Sequence, residues 1–219
     1  MKRLAVLISG RGSNLDALFS AIQRYGWPLA VVGVISNRPN APGLEIARAR
    51  GIATTVIDHT QFPDRNAFDA ALAETLEIQR PDLVVLAGFM RLLTAEFCAR
   101  FRNRLVNIHP SLLPAFKGLD THQQALDAGV RVHGCTVHLV TAALDHGPIL
   151  AQAVVPVHQD DTAEVLAARV LKMEHEIYPM AIAAWLSGQL MIQENRIVNR
   201  GEGAFPTGFM PCRLHPDLA

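Results

Sequence analysis

Cysteine is scarce. The 219 residues include three, Cys98, Cys135 and Cys212, an odd number without a C-x-x-C spacing, which argues against a disulfide scaffold and suits a reducing compartment. Charge of one sign is lacking too: twenty basic residues balance twenty acidic ones. No bulk attraction to nucleic acid or to an anionic membrane is expected, although a local basic patch stays open. No uninterrupted apolar run approaches the roughly 18 residues of a membrane span. Lys2 and Arg3 precede an apolar run, but Leu4 to Ile8 is too short for an export signal and leads straight into a glycine turn. A cytoplasmic protein is expected. No internal repeat or linker divides the chain. With 50% hydrophobic and 18% charged residues, it should form a single domain over 1–219, in two halves, 1–103 and 104–200, with an irregular tail over 201–219.

What is present is an alternation of short apolar strands and helices, the pattern of an α/β protein. Leu4 to Ser9 reads as a buried parallel strand that runs into Gly10-Arg11-Gly12-Ser13-Asn14 and then a helix from about Leu15 to Tyr25. Strand, glycine turn and helix make a phosphate cradle, because glycines let the backbone approach an anion and a helix N-terminus offers N–H groups and a favourable dipole. The competing reading is a tight turn with Ser13 or Asn14 as a helix cap. A dinucleotide fingerprint is incomplete: Leu15 stands at its third glycine, and the second strand, Val31 to Ser36, is followed by Asn37-Arg38 rather than an acid. NADP is disfavoured and a mononucleotide phosphate fits better.

Further along, helices are expected near Pro42–Arg50, Asp64–Ile78, Thr94–Phe101 and Thr162–Leu186, with Asp64 capping the second and Asp161 or Thr162 the last. After a strand over Leu83–Ala87, the residues Phe89, Met90, Leu92 and Leu93 cluster at a strand end. They suit either a core or the wall of a pocket for a flat heterocycle. His133, Cys135 and His138 on the next-to-last main strand invite a metal, but the period of two points His138 away from the other two, so no metal is expected. Asp145, in Asp145-His146-Gly147-Pro148, reads by itself as a turn former. Leu190–Ile192 and Arg196–Val198 should pair as a hairpin.

The chemistry gathers at Leu105-Val106-Asn107-Ile108-His109-Pro110. Asn107 and His109 share one face of a strand, and Pro110 ends it, leaving an amide and an imidazole at the carboxyl edge of the sheet, where ligands bind in open α/β folds. The segment with Pro110, Pro114 and Gly118 that follows should be a mobile loop.

Taken together, these motifs resemble the folate-dependent phosphoribosylglycinamide formyltransferases. The resemblance rests on residues 8–15 (Ile-Ser-Gly-Arg-Gly-Ser-Asn-Leu), 86–91 (Leu-Ala-Gly-Phe-Met-Arg), 107–114 (Asn-Ile-His-Pro-Ser-Leu-Leu-Pro), Asp145-His146-Gly147-Pro148 and Glu174-His175, and covers nearly the whole chain. It implies a Rossmann-like open, mostly parallel sheet with helices on both faces and a C-terminal antiparallel extension. It implies transfer of the formyl group of 10-formyltetrahydrofolate to glycinamide ribonucleotide, in purine biosynthesis, by a monomer or homodimer without metal, nucleic acid or membrane. Gly12, Ser13, Asn14 and Glu174 would hold the ribonucleotide. Arg65, Met90, Arg91, Leu92, Leu93, Asn107, Val140 and Asp145 would line the folate site. Asn107, His109 and Asp145 would be catalytic. Leu171 departs from the family, which often carries a polar, substrate-contacting residue there. Relatives acting on methionyl-tRNA usually carry an additional C-terminal domain, and deformylases an N-terminal one. This chain ends early, has no basic excess, and starts its phosphate strand at residue 4, so the ribonucleotide is the expected acceptor.

Overall fold

Strand β1, Lys2–Ile8, is buried without exposure from Leu4 to Ile8, as an apolar run covered on both faces of a parallel sheet must be. The structure, a computed structural model, describes residues 1–194, 196–201, 203–204 and 210–218. The chain forms two compact units, 1–107 with 140–142 and 108–139 with 143–219.

In the first unit, β1 is followed by α1 (Ser13–Tyr25), β2 (Leu29–Ser36), α2 (Gly43–Ala49), β3 (Thr54–Val56), α3 (Arg65–Gln79), β4 (Leu83–Leu86), α4 (Ala95–Arg100) and the start of β5 (Leu105–His109). The strand order is β5-β4-β1-β2-β3, and every pairing is parallel. The chain moves outward from β1 to β3 and then returns to β4 on the other side of β1. The crevice between the carboxyl ends of β1 and β4 is therefore the topological switch point, where such sheets take ligands.

Ala5 and Leu7 of β1 and Val84 and Leu86 of β4 pack with Phe68, Leu72 and Leu76 of α3, with Phe97 of α4 and with Phe101 just after it. Leu4, Val6 and Ile8 point to the opposite face by the period of two, the side to which right-handed crossovers bring α1 and α2. Local chemistry starts the helices where the sequence predicts. Asp64 accepts the Ala67 N–H at 2.8 Å, and Thr94 accepts that of Phe97 at 3.2 Å.

In the second unit, β6 (Val132–Leu139) runs antiparallel to β7 (Ile149–Pro156), with a register shift between Val137 and His138. Helix α5 (Thr121–Asp127) precedes β6, and the 24-residue α6 (Ala163–Leu186) follows β7. Thr162 caps α6 through the Val165 N–H, whereas Asp161 grips Arg169 with both carboxylate oxygens, at 2.6 and 2.8 Å. That guanidinium holds Asp161 down at about 2. The expected hairpin is β8 (Leu190–Gln193) with β9 (Arg196–Asn199).

Two expectations are corrected. Helix α1 begins at Ser13, two residues early, because Gly12 adopts a left-handed conformation (φ 80°) and serves as the cap position itself. The tail is not irregular throughout: Cys212–Leu214 forms β10, parallel to β7, and Pro216–Leu218 a 3-10 turn. The open edge of β7 supplies the backbone partners, which local sequence does not reveal. The rest of the tail expectation falls largely on residues 202, 205–209 and 219, outside the described residues. No helix among the described residues is long and apolar enough to cross a membrane.

Candidate active site

The first unit contains the residues expected to hold phosphate and, except for Asp145, those expected to line the folate site. At the end of β1 the turn closes on the start of α2: Gly43 N–H donates to the Gly10 carbonyl at 3.0 Å, and a Cβ on Gly12 would stand 2.6 Å from Gly43 Cα. The first bond of α1 runs from the Asp16 N–H to the Gly12 carbonyl at 2.9 Å. Gly12 has taken the cap position, and the Ser13 side chain thereby belongs to the first turn of the helix rather than to its cap.

Ser9 was not among the expected site residues, yet it organises this end of the sheet. Its hydroxyl accepts the Met90 N–H at 2.8 Å and donates to Asn37 Oδ1 at 2.5 Å, and its own N–H reaches the Gly88 carbonyl at 3.1 Å. Ser9 and Asn37 are themselves buried. A serine closing an otherwise apolar strand was the available signal.

The segment after β4 divides as the two sequence readings allowed. Phe89 is core, and Leu93 and Val140 lean on the same core cluster, half-buried. Met90 and Leu92 are left 62% and 51% exposed. The Arg91 guanidinium lies 5.3 Å from the centre of the Phe68 ring, which stacks on Phe89 at 6.5 Å. Arg65, exposed, starts the helix that carries Phe68.

Asn107 and His109 occupy alternate positions of β5 as expected, with Asn107 opposite Leu86 of β4. His109 is 5% exposed. Its Nε2 donates to the Phe116 carbonyl at 3.0 Å, and its Nδ1 stands 3.4 Å from Asp145 Oδ2. Both ring nitrogens thus face acceptors. Asp145 also accepts the Gly118 N–H at 3.0 Å, and Lys117 Nζ is 3.2 Å from His146 Nδ1. The 110–120 segment, expected to be mobile, is thus tied at several points. Asp145 adopts φ 46°, a conformation that Asp tolerates better than most side chains.

The sequence reading missed His138. Its Nε2 is 3.8 Å from Asp145 Oδ1, so the carboxylate stands between two imidazoles. Burial pushes His138 down from the ordinary histidine value. His133 packs edge-on to His122 and Phe116, at 5.2 and 5.8 Å, and burial and then His122 lower it to about 4. Among the described residues no group of three or more His, Cys, Asp or Glu could hold a metal ion. Glu174 is buried on α6, where its charge adds to burial in raising the Cys135 thiol. Leu171, one turn earlier, is half-buried.

These features have counterparts in known proteins. A family model described as "Formyl transferase" matches residues 2–182. The chain is 45% identical to phosphoribosylglycinamide formyltransferase of Escherichia coli over 94% of its own length and 97% of that protein. It is 48% identical to the trifunctional purine biosynthetic protein adenosine-3 of Bos taurus over 88% of its own length, but spans 19% of that much longer protein. Among solved structures, glycinamide ribonucleotide transformylase 1 of Symbiobacterium toebii superposes with a TM-score of 0.88 at 50% identity, covering 91% of this chain and 94% of that one. With a glycine-cradled helix N-terminus, an Asn/His strand end and a match over most of its length, the chain belongs to the formyl transferase family.

Proposed function

We infer that this chain transfers the formyl group of 10-formyltetrahydrofolate to the amine of N1-(5-phospho-D-ribosyl)glycinamide, in purine biosynthesis. The observation that carries the chemistry is the buried pair His109–Asp145 at the end of a strand that also bears Asn107. The near-full-length likeness to the Escherichia coli enzyme supports the choice of substrates.

The reaction needs an attacking amine, a stabilised oxyanion and a proton for the leaving nitrogen. The amine nitrogen forms its bond to the formyl carbon, and the carbonyl electron pair moves to oxygen. Asn107 donates an N–H to that oxyanion without changing charge, a contact whose loss costs about 3 to 4 kcal/mol in comparable sites. His109, held through Nδ1 by Asp145, donates its Nε2 proton to the oxyanion or the departing folate nitrogen. The oxyanion's electron pair then re-forms the carbonyl as the carbon–nitrogen bond to the folate breaks, the folate nitrogen departs with the proton that came from His109, and the excess proton on the former amine passes by way of Asp145 or water back to His109. In the structure Phe116 holds Nε2, so that carbonyl has to give way before the ring reaches substrate. No covalent enzyme intermediate is required.

Gly12, Ser13 and Asn14 bind the phosphate through the start of α1, and Glu174 binds the glycinamide end. Met90, Arg91, Leu92, Leu93 and Val140, with Arg65, Asn107 and Asp145, receive the folate. The exposed Met90 and Leu92 and the half-buried Leu93 and Val140 fit an apolar ring system. The chain works as a single formyltransferase domain, a monomer or homodimer, in the cytoplasm.

The test is to mix the protein with 10-formyltetrahydrofolate and glycinamide ribonucleotide and follow tetrahydrofolate by absorbance. Release that depends on the ribonucleotide supports the reading. Release without it indicates a deformylase, and no release indicates a nucleotide-binding module.

A further inference from the structure

Beyond the residues that would touch substrate, the turn after His109 is gripped by two side chains outside the catalytic set. Thr136 on β6 and Gln152 on β7 are direct cross-strand partners in the antiparallel pair, so their side chains rise from the same face about 5 Å apart. Thr136 is fully buried. Its hydroxyl donates to the Ser111 carbonyl at 2.7 Å and accepts the Leu113 N–H at 3.0 Å and a Gln152 Nε2 hydrogen at 3.0 Å. The other Gln152 Nε2 hydrogen goes to the Leu113 carbonyl at 3.0 Å. A hydroxyl has one donor and two acceptor sites, and an amide nitrogen has two donors; here every one of them is used.

We propose that Thr136 and Gln152 are positioning residues for the reaction, forming a strut that sets His109 by holding the Ser111–Leu113 turn. This rests on the catalytic reading of His109 given above. The turn is continuous with the ring it serves. Ser111 N–H returns to the His109 carbonyl at 2.9 Å, and Ser111 Oγ donates to the Ala115 carbonyl at 2.6 Å. The next carbonyl, that of Phe116, is the acceptor for His109 Nε2. Gly118, two residues later, donates to Asp145. Moving the turn therefore moves the His109 backbone, through Ser111, and Asp145, through Gly118, and so shifts the imidazole even after the Phe116 carbonyl has given way. A completely satisfied buried node has little freedom to relax, so removing one member displaces the others.

The strut also reaches the tail. Gln152 pairs with Cys212 of β10, and its N–H donates to the Pro211 carbonyl at 3.0 Å, so its backbone is held from the side away from Thr136.

Thr136→Val keeps shape and removes the hydroxyl, Gln152→Leu removes the amide, and Thr136→Ser restores the hydroxyl. Turnover, the KM for each substrate and the His109 ring N–H signals by ¹⁵N-resolved NMR are measured well below each variant's melting temperature. Thr136→Val and Gln152→Leu should lower kcat about 10- to 100-fold, as expected for a misplaced catalytic group. The ribonucleotide KM should stay within about twofold, and the His109 Nε2 signal should be displaced. Thr136→Ser should recover both. If Thr136→Val does not fold, Gln152→Leu carries the same expectations, since it leaves two of the three hydroxyl bonds intact. Wild-type kcat with an unchanged His109 signal overturns the proposal, as does a loss of kcat with that signal unchanged. A displaced signal with wild-type kcat upholds the strut and instead overturns the catalytic reading of His109.

Discussion

Asp145 Oδ2 stands 3.4 Å from Nδ1 of His109, and the same oxygen accepts the Gly118 N–H. The other oxygen faces His138 Nε2 at 3.8 Å. One carboxylate therefore links a strand end, the neighbouring β6 and the 110–120 segment, and its charge is separable from its shape.

Asp145→Asn performs that separation, because the amide oxygen can still accept the Gly118 N–H while the negative charge is lost. Steady-state kinetics should show kcat lowered about 10²- to 10⁴-fold, the range of positioned acid–base groups. The KM for the ribonucleotide should change by less than about threefold. Near-normal turnover would remove Asp145 from the mechanism.

At the other end of the substrate, Ser13→Ala and Asn14→Ala each take away a side-chain donor next to the first turn of α1. A hydrogen bond to a charged group contributes roughly 1.5–3 kcal/mol, so each should raise the ribonucleotide KM about tenfold or more. The KM for 10-formyltetrahydrofolate should hold. An unaltered ribonucleotide KM in both variants would move the phosphate elsewhere.

Gly12 and Gly26 both adopt positive φ, at 80° and 61°, but they differ in surroundings. A Cβ on Gly12 meets Gly43 Cα at 2.6 Å, whereas one on Gly26 meets nothing within 4 Å. Gly26→Ala should cost only the left-handed strain, about 1 to 2 kcal/mol. Gly12→Ala adds a backbone collision, for a total of roughly 2–4 kcal/mol. Urea unfolding of the two variants gives the comparison, and equal losses would mean that the close approach of the two loops carries no weight.

Acid should destabilise the fold before the carboxylates titrate. Burial first, and the neighbouring His122 second, lower His133 to about 4, and burial also lowers His122 and His138. The unfolded chain protonates these rings near 6.5. Between that value and the folded ones the unfolded state binds more protons, so the contribution is complete above about pH 6.5 and is lost as pH falls towards 4. Each ring adds a slope of up to about 1.4 kcal/mol per pH unit. His133→Phe, which keeps the edge-on packing against Phe116, should flatten the dependence of the urea midpoint by about one proton's worth between about pH 6.5 and pH 4. An unchanged slope would show that His133 does not hold its proton differently in the two states.

Much of this architecture was legible locally. Asp64, Thr94 and Thr162 cap the helices that follow them because a short side-chain oxygen beside an orphaned N–H is a property of three or four consecutive residues. The β8–β9 hairpin is legible as two short apolar runs a few residues apart. The start of α1 is not legible locally, because whether a glycine or the serine beside it takes the cap position depends on one backbone conformation, and Gly12 adopts it in close approach to α2, some thirty residues away.

The sequence by itself determined that Asn107 and His109 share a face at the end of a strand, because the side-chain period of two admits no alternative once the strand forms. It likewise determined a glycine turn between strand and helix, and an apolar cluster after Gly88. Only the tertiary structure decided which neighbours those groups have. The period of two set His138 apart from His133 and Cys135, but only the fold could bring Asp145 beside it. The same fold closed the 110–120 segment on His109 and paired Cys212–Leu214 with β7. Each of these depends on strand register or on the path of a loop, and both are set by contacts between residues far apart in the chain, where local periodicity carries no information.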